Sequence, residues 1–237
     1  MQLDVADLRD FYATPLGQVA RRLLSRKLRS RWPRANGATL AGLGYCTPYL
    51  GSYRGEASHI AALMPETQGA LVWPPEGAKQ STLVDECRLP LRDNSVDRML
   101  VAHCLEVSDH AAPLLRELWR VLKPEGRLII IVPNRRGVWA HLDTTPFGYG
   151  RPYSRSQLEF LLRDSLLTPI DWSSSLHVPP FNQSMLLRSA AAWERLGSSL
   201  WPGFGGVLVV EACKETVAPI GGKVARARTI RDLVIAR

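Results

Sequence analysis

The sequence has few cysteines, and none of them are paired at a metal-binding spacing. Cys46, Cys87, Cys104 and Cys213 are scattered through 237 residues, and the five histidines form neither an HxxxH nor an HExxH pattern. Zinc sites and disulfide frameworks need closely spaced or paired ligands, so the sequence predicts neither. We expect reduced, mostly buried thiols and no metal centre.

Long apolar runs are also missing. No stretch approaches the roughly eighteen apolar residues of a membrane span. The first twelve residues, MQLDVADLRDFY, carry acids where a secretory signal has a basic start and an apolar core. Hydrophobic residues make up 46% of the chain and charged residues 22%, which is typical of a globular protein. These features predict a cytoplasmic protein without a transmembrane segment.

Positive charge is concentrated at the two ends of the chain. The net charge is +8; seven bases and no acid lie between residues 21 and 34, and five bases and one acid lie between residues 217 and 237. The length favours one sizeable domain over two. We therefore predict a basic helical extension at residues 1–35, one domain at residues 36–215 and a basic tail at residues 216–237.

Apolar periodicity predicts an α/β fold. Apolar residues recur every three to four positions from residue 6 to 32, which indicates a helix that Pro15 divides. Strand-like runs then alternate with helical segments, and the strands read ATLAGLGY, HIAALMP, STLVDE, VDRMLVAH, RLIIIVP, PIDWSSSLHV and GVLVVEACK. Helices are predicted over APLLRELWRVLKPEG, ending at Gly126, over SRSQLEFLLRDSL and near MLLRSAAAWERLG. Apolar strands separated by helices predict a doubly wound, mostly parallel seven-stranded sheet with helices on both faces.

A glycine-containing turn follows the first predicted strand. Gly42 and Gly44 lie in TLAGLGYCTPYL. In a doubly wound sheet the ligand lies beyond the carboxyl ends of the strands, and glycine lets the backbone approach it closely. A GxG pair is equally typical of an ordinary tight turn, so the pattern alone leaves both interpretations open.

Two longer segments are more specific. They read VDECRLPLRDNSVDRMLVAHCLEVSD and LLRELWRVLKPEGRLIIIVPN. With the glycine turn, they resemble class I S-adenosylmethionine-dependent methyltransferases, the group that includes the quinone-biosynthesis C-methyltransferases, over about residues 36 to 175. The resemblance implies a Rossmann-like methyltransferase fold, S-adenosylmethionine as cofactor, and methyl transfer to a small molecule or a protein-bound group.

The resemblance also implies a set of cofactor contacts. The residues are Gly42, Leu43, Gly44, Tyr45, Met64, Asp85, Glu86, His103 and Leu105. The first four would wrap the methionine end, Asp85 with Glu86 would lie by the adenine, and the last two would line the floor near the sulfonium.

Two positions depart from the family pattern. Family members commonly have acids at the positions of Leu40 and Met64, where they hold the methionine amino group and the ribose hydroxyls. Glu66 could substitute for the second acid, but it lies two residues later. The loss of a charged acceptor predicts about ten- to a hundredfold weaker cofactor binding.

Methyl transfer requires little of the side chains, because the sulfonium is already a good leaving group and positioning provides most of the rate. A base helps where the acceptor is a hydroxyl or a carbon acid, and the candidates are His103, Glu106 and His141. Two interpretations fit the loop NRRGVWAHLDTTPFGYGRPYS: a surface loop, or a segment that binds an acidic substrate. The candidate substrate contacts are Tyr12, Arg135, Arg136 and Tyr153.

Other functions stay open. Leu40 and Met64 also fit a catalytically inactive methyltransferase-like subunit that works through a protein partner, and the basic ends fit an RNA methyltransferase. An NAD dehydrogenase shares the GxG turn but not LVDECRLPL or LWRVLKPEGRL. The basic helix could cap the pocket, bind RNA or anionic lipid, or seat a partner or a second copy. We favour the cap or the partner over nucleic acid, because the apolar stripe of Leu23, Leu28 and Trp32 runs through the basic segment.

Overall fold

A computed structural model describes residues 3–215, which contain one seven-stranded sheet. The strands are β1 (Thr39–Gly44), β2 (His59–Pro65), β3 (Ser81–Val84), β4 (Val96–Ala102), β5 (Leu122–Pro133), β6 (Leu167–Ser175) and β7 (Val207–Lys214). The helices are α1 (Val5–Ala13), α2 (Pro15–Arg31), α3 (Thr47–Leu50), α4 (Ala111–Val121), α5 (Arg155–Asp164), α6 (Ser184–Arg188) and α7 (Ala190–Leu200). The basic tail predicted at residues 216–237 lies outside the described residues.

The strand order is β3-β2-β1-β4-β5-β7-β6. All neighbouring strands pair in parallel except β7, which runs antiparallel to both β5 and β6. The order reverses between β1 and β4, and ligands of such sheets bind beyond the carboxyl ends of the strands at this point. The predicted doubly wound, mostly parallel fold is confirmed.

Helices cover both faces of the sheet. Along β5, Leu128 and Ile130 pack in the core beneath α4 and α5, whereas Ile129 and Ile131 pack in the core beneath α1 and α2. Successive strand side chains point to opposite faces, so a continuously apolar strand is what a sheet covered on both sides requires.

The basic helix α2 completes the second core layer. Leu23, Leu28 and Trp32 are buried against the rest of the same chain. The indole nitrogen of Trp32 donates to Glu211 over 3.0 Å, and Arg31 donates to Asp171 over 2.8 Å. The three apolar side chains are therefore not available to a partner, contrary to our expectation. The domain division at residue 35 stays a prediction.

The helices differ from the sequence prediction in two places. Helix α4 ends at Val121 rather than at Gly126, and β5 begins at Leu122. Pro124 explains this, because proline disfavours helical backbone at the residue before it. The predicted helix near residues 185–197 is divided at Ser189 into α6 and α7.

Candidate functional site

The turn after β1 needs its glycines for packing within the chain. Gly44 has φ of +86°. A Cβ atom there would lie 2.7 Å from the Cβ of Cys104 and even closer to the carbonyl oxygen of Ala102. A Cβ atom on Gly42 would lie 2.6 Å from the Cβ of Cys46. The turn is tight because the ends of β1 and β4 come together here.

A buried chain of polar side chains lies above this turn. The hydroxyl of Tyr12, from α1, lies 2.6 Å from the hydroxyl of Tyr49 and 2.8 Å from Nε2 of His103. The ring of Tyr45 stacks on that of Tyr12 at 5.6 Å, and Phe147 lies 4.7 Å from the His103 ring. Tyr12, Tyr49 and His103 are at most 7% exposed. Burial raises the pKa of both tyrosine hydroxyls, so they remain protonated.

His103 and Glu106 form a buried pair next to this chain. Nδ1 of His103 lies 3.7 Å from Oε1 of Glu106, beyond hydrogen-bond distance. Within residues 3–215, neither this nitrogen nor either carboxyl oxygen of Glu106 has a hydrogen bond of good geometry, although the backbone N–H groups of Cys104 and Glu106 act on the carboxyl. Burial lowers the pKa of His103 to about 3 and raises the pKa of Glu106 to about 7. His103 is therefore neutral at neutral pH, and Glu106 is divided between its protonated and ionised forms.

Unsatisfied buried groups with perturbed pKa values are rare, and they are concentrated at functional sites. His103 also has φ of +54°, a conformation that non-glycine residues seldom adopt. Together these observations mark the exit of β4 as the candidate functional site.

Gln68 ties α1 to this exit. Its side-chain amide donates to the carbonyl oxygen of His103. Its backbone carbonyl oxygen accepts from the backbone N–H of Val5 over 2.8 Å. The segment after β2 thus joins the first turn of α1 to β4. Tyr12, Tyr45 and Gln68 together cover the site with side chains of the chain itself.

The two positions where the family has acids belong to the apolar core. Leu40 and Met64 are each 1% exposed. The sulfur of Met64 accepts from the backbone N–H of Leu71 over 3.2 Å. Glu66 is exposed on the following turn. No carboxylate therefore stands at the buried end of β2.

Four other predicted cofactor contacts have local partners. Asp85 is exposed and accepts from the backbone N–H of Cys87 over 2.8 Å, as in a turn. Glu86 accepts from the hydroxyl of Ser108. Leu43 and Leu105 are fully buried in the core beneath α4. The cofactor roles assigned to these residues stay predictions.

Several candidates lie apart from the buried pair. His141 is exposed, and its Nε2 lies 3.0 Å from the carbonyl oxygen of Arg135. Arg136 lines a separate cavity of about 540 Å³. The hydroxyl of Tyr153 donates to the carbonyl oxygen of Leu105 over 3.2 Å, so Tyr153 stabilises the segment after β4. Of the predicted site residues, the structure brings together Tyr12, Gly44, Tyr45, His103 and Glu106.

Sequence reasoning missed Tyr49 and Gln68. Both follow a strand of the predicted sheet, but only the folded structure places Tyr49 beside Tyr12, which lies 37 residues earlier. The one sequence signal was the pairing of Tyr45 and Tyr49 four residues apart, a spacing that puts two side chains on one helical face.

A second cavity lies beside the covered site. It measures about 350 Å³ and lies between α1 and the segment 143–149. Asp7, Asp10, Phe11, Thr145 and Tyr149 contribute to its wall. Within the described part of the chain, no group of three or more His, Cys, Asp or Glu residues could hold a metal ion.

Comparison with known proteins identifies the fold. The family model described as a methyltransferase domain matches residues 42–130. No curated protein matches the chain in sequence. A chain of the complex between the Haloferax volcanii Trm112 methyltransferase activator and a methyltransferase is 18% identical, with a TM-score of 0.63 over 90% of this chain and 98% of that one.

Two further similar structures hold ligands. The Burkholderia thailandensis 1,6-didemethyltoxoflavin-N1-methyltransferase, with bound S-adenosylhomocysteine, is 19% identical with a TM-score of 0.53 over 89% of this chain and 85% of that one. The Streptomyces coelicolor geranyl diphosphate C-methyltransferase, also with S-adenosylhomocysteine, is 14% identical with a TM-score of 0.57 over 81% and 76%. The fold is that of class I methyltransferases, and the domain match with these neighbours supports S-adenosylmethionine as the cofactor.

The residues at the strand ends fit this cofactor only in part. The side chain of Tyr12 fills the space beside the buried polar groups of Tyr49 and His103, which suit a polar ligand. Met64, where the resemblance implies a ribose contact, has no carboxylate, and its sulfur already accepts from the backbone N–H of Leu71.

Proposed function

We propose that this chain, which has the class I methyltransferase fold, is an S-adenosylmethionine-dependent methyltransferase whose cofactor site is capped by α1. The observation that carries the proposal is a pair of buried groups without a hydrogen-bond partner at the exit of β4, Nδ1 of His103 and the carboxyl of Glu106. Each buried polar group without a partner costs about 1–3 kcal/mol. Apolar residues would avoid this cost, so the polar pair points to a ligand or a reaction.

The roles of the two residues follow from their protonation. The cofactor, when bound, supplies a methyl group on a cationic sulfonium. A neutral His103 beside that cation adds no repulsion, whereas a protonated one would. Glu106, with a pKa of about 7, can accept a proton from an acceptor hydroxyl, amine or carbon acid at neutral pH.

The proposed cap is α1. Tyr12 holds it closed with hydrogen bonds to Tyr49 and His103. A protein whose binding-competent form is only partly populated binds its ligand correspondingly more weakly. The cavity between α1 and the segment 143–149, whose wall includes Phe11, is the proposed place for the methyl acceptor.

Calorimetric titration with S-adenosylhomocysteine tests the cap. Tyr12→Phe keeps the ring but removes two hydrogen bonds, each contributing about 0.5–1.5 kcal/mol, so we expect about five- to a hundredfold tighter binding. The matched control, Tyr53→Phe, removes one buried hydrogen bond, to the carbonyl oxygen of Trp32, and should leave binding unchanged. Equal or weaker binding by a folded Tyr12→Phe protein would contradict the capping role.

A second candidate is a methyltransferase-like subunit that works through a protein partner. Two observations favour it: Leu40 and Met64 are core residues, and the Haloferax volcanii neighbour is in a complex with an activator of methyltransferases. Absence of S-adenosylhomocysteine binding by the wild-type protein and by Tyr12→Phe would select this candidate.

The RNA methyltransferase alternative has less support. Several bases of α2 are already engaged within the chain: Arg29 pairs with Glu56, and Arg31 pairs with Asp171. Arg21 donates to the carbonyl oxygen of Pro48 over 3.0 Å. These contacts reduce the charge that α2 offers to a phosphate backbone.

A further inference from the structure

Exposed apolar side chains are concentrated near the end of the described chain. Of the thirteen large apolar residues that are exposed within residues 3–215, seven lie between residues 181 and 204. We call six of them the outer face: Met185, Trp193, Leu196, Leu200, Trp201 and Phe204. Their exposed fractions run from 39% to 81%. Such a concentration marks an interaction surface, because scattered single residues are the rule elsewhere.

The outer face has a helical geometry. Trp193, Leu196 and Leu200 follow an i, i+3, i+7 spacing on α7, which aligns them along one side of the helix. Gly197 and Ala190 are buried on another side of the same helix. A Cβ atom on Gly197 would lie 2.3 Å from the Cβ of His177 and 2.4 Å from its ring, so α7 packs closely on that side. The apolar stripe therefore borders the packed side of α7, and its side chains are 39% to 61% exposed.

The charges around the outer face have one sign. The only acid in residues 176–206 is Glu194. Glu194 is turned inward, where it accepts from the backbone N–H of His177 over 3.0 Å and from the hydroxyl of Ser175. The exposed charged residues of this segment are Arg188 and Arg195.

The basic helix α2 extends this charge. It packs against both α6 and α7. Arg22 and Arg26 are exposed on α2 and make no ion pair or hydrogen bond within residues 3–215. Unpaired arginines thus lie on the helix that adjoins an apolar surface rich in tryptophan and leucine.

We propose that the outer face is a docking surface for an anionic lipid bilayer. Apolar and tryptophan side chains on one side of a helix, with arginines around them, are the composition of segments that lie in the membrane interface. Tryptophan rings prefer the headgroup level, and arginines are attracted by anionic headgroups. A protein partner would also cover the apolar residues, but the exposed arginines of α6 and α7, with no exposed acid in residues 176–206, favour an anionic surface. No helix among residues 3–215 is both long and apolar enough to cross a membrane, so the contact would be peripheral.

Cosedimentation of the full chain with vesicles tests the proposal. One set of vesicles contains phosphatidylcholine alone, and the other contains phosphatidylcholine mixed with phosphatidylglycerol. We expect binding to the mixed vesicles that weakens as salt is added, and little binding to the neutral ones.

Two double variants separate the apolar and the charged contributions. Trp193→Ser with Leu196→Ser should abolish most binding to the mixed vesicles. Arg188→Glu with Arg195→Glu should weaken it by about thirtyfold or more, since each base near an anionic surface contributes about fivefold. The matched apolar control is Phe160→Ser, a residue on α5 that is 71% exposed and outside the outer face. The basic tail is unchanged in every variant, so its contribution cancels.

Three results would overturn the proposal. The first is no binding of the wild-type chain to either vesicle set. The second is equal loss of binding in the Phe160→Ser control. The third is a dimer or a stable protein complex, seen by light scattering, that only the Trp193→Ser, Leu196→Ser variant disrupts while vesicle binding is unchanged. Circular dichroism confirms that each variant is folded before it is compared.

Discussion

The protonation of Glu106 predicts a specific pH dependence of stability. Its pKa is raised from 4.5 to about 7 because the carboxyl is fully buried. The folded protein therefore holds this proton more tightly than the unfolded chain does. Stability from this group is present below about pH 4.5 and is lost as the pH rises toward and through about pH 7. The rise in pKa corresponds to about 3 kcal/mol at most.

The contribution of His103 to stability changes with pH in the opposite direction. Burial lowers its pKa from 6.5 to about 3, so its contribution is present above pH 6.5 and is lost as the pH falls toward 3. The two effects oppose each other between about pH 4.5 and pH 6.5. Above that window the loss from Glu106 stands alone.

The variant Glu106→Gln removes one of the two titrations. Urea unfolding followed by circular dichroism, from about pH 5 to about pH 9, measures the free energy of unfolding of both proteins. We expect the wild type to lose about 2–3 kcal/mol relative to Glu106→Gln over this range. Glu66→Gln, at an exposed position, is the matched control and should follow the wild type.

Parallel pH curves for the wild type and Glu106→Gln would refute this reasoning. A wild type that gains stability relative to the variant as the pH rises would refute the reasoning more strongly. That result would mean that Glu106 is ionised and pairs with a protonated His103. In that case the pair would be an ion pair, and Glu106 would not be poised to accept a proton.

Three further predictions concern packing and are checked by the same unfolding measurements. Gly44→Ala combines a positive φ with a severe clash and should cost several kcal/mol, roughly 3 or more, whereas Gly37→Ala, also at positive φ but with open space around it, should cost about 1 kcal/mol. Met64→Glu buries a carboxylate in the core and should destabilise the fold by roughly 3 kcal/mol or more; tighter S-adenosylhomocysteine binding by a stable Met64→Glu protein would contradict this. Trp32→Phe leaves its buried acceptor on Glu211 without the indole donor and should cost about 1–3 kcal/mol, and a loss below about 0.5 kcal/mol would contradict that account.

The sheet could be predicted from the sequence because its central strands are apolar on both faces. The run RLIIIVP corresponds to the end of β5, and its alternate residues serve the two cores. The end of α4 was predicted five residues too late, since the apolar periodicity continues to Leu122 while Pro124 forces the backbone out of the helix. Periodicity locates elements, and local backbone constraints decide where they end.

The polar chain of the site could not be predicted in this way. Tyr12 and His103 are 91 residues apart, and their contact depends on how α1 crosses the exits of β1 and β4. His103 and Glu106 were candidates because they follow β4, but the sequence carries no signal of their burial. Perturbed pKa values arise from that burial, so the chemistry of the pair is visible only in the folded chain.

The exit of β2 carries an apolar residue and the exit of β4 carries polar ones, and this difference bears on the function. At the exit of β2, Met64 is packed in the core, where its sulfur accepts one backbone N–H bond. At the exit of β4, Nδ1 of His103 and the carboxyl of Glu106 remain buried without hydrogen-bond partners, at a cost of about 1–3 kcal/mol for each group. A site filled only for stability would carry apolar residues at both ends. The retained polar pair therefore argues that a ligand or a reaction is served at the exit of β4 rather than at the exit of β2.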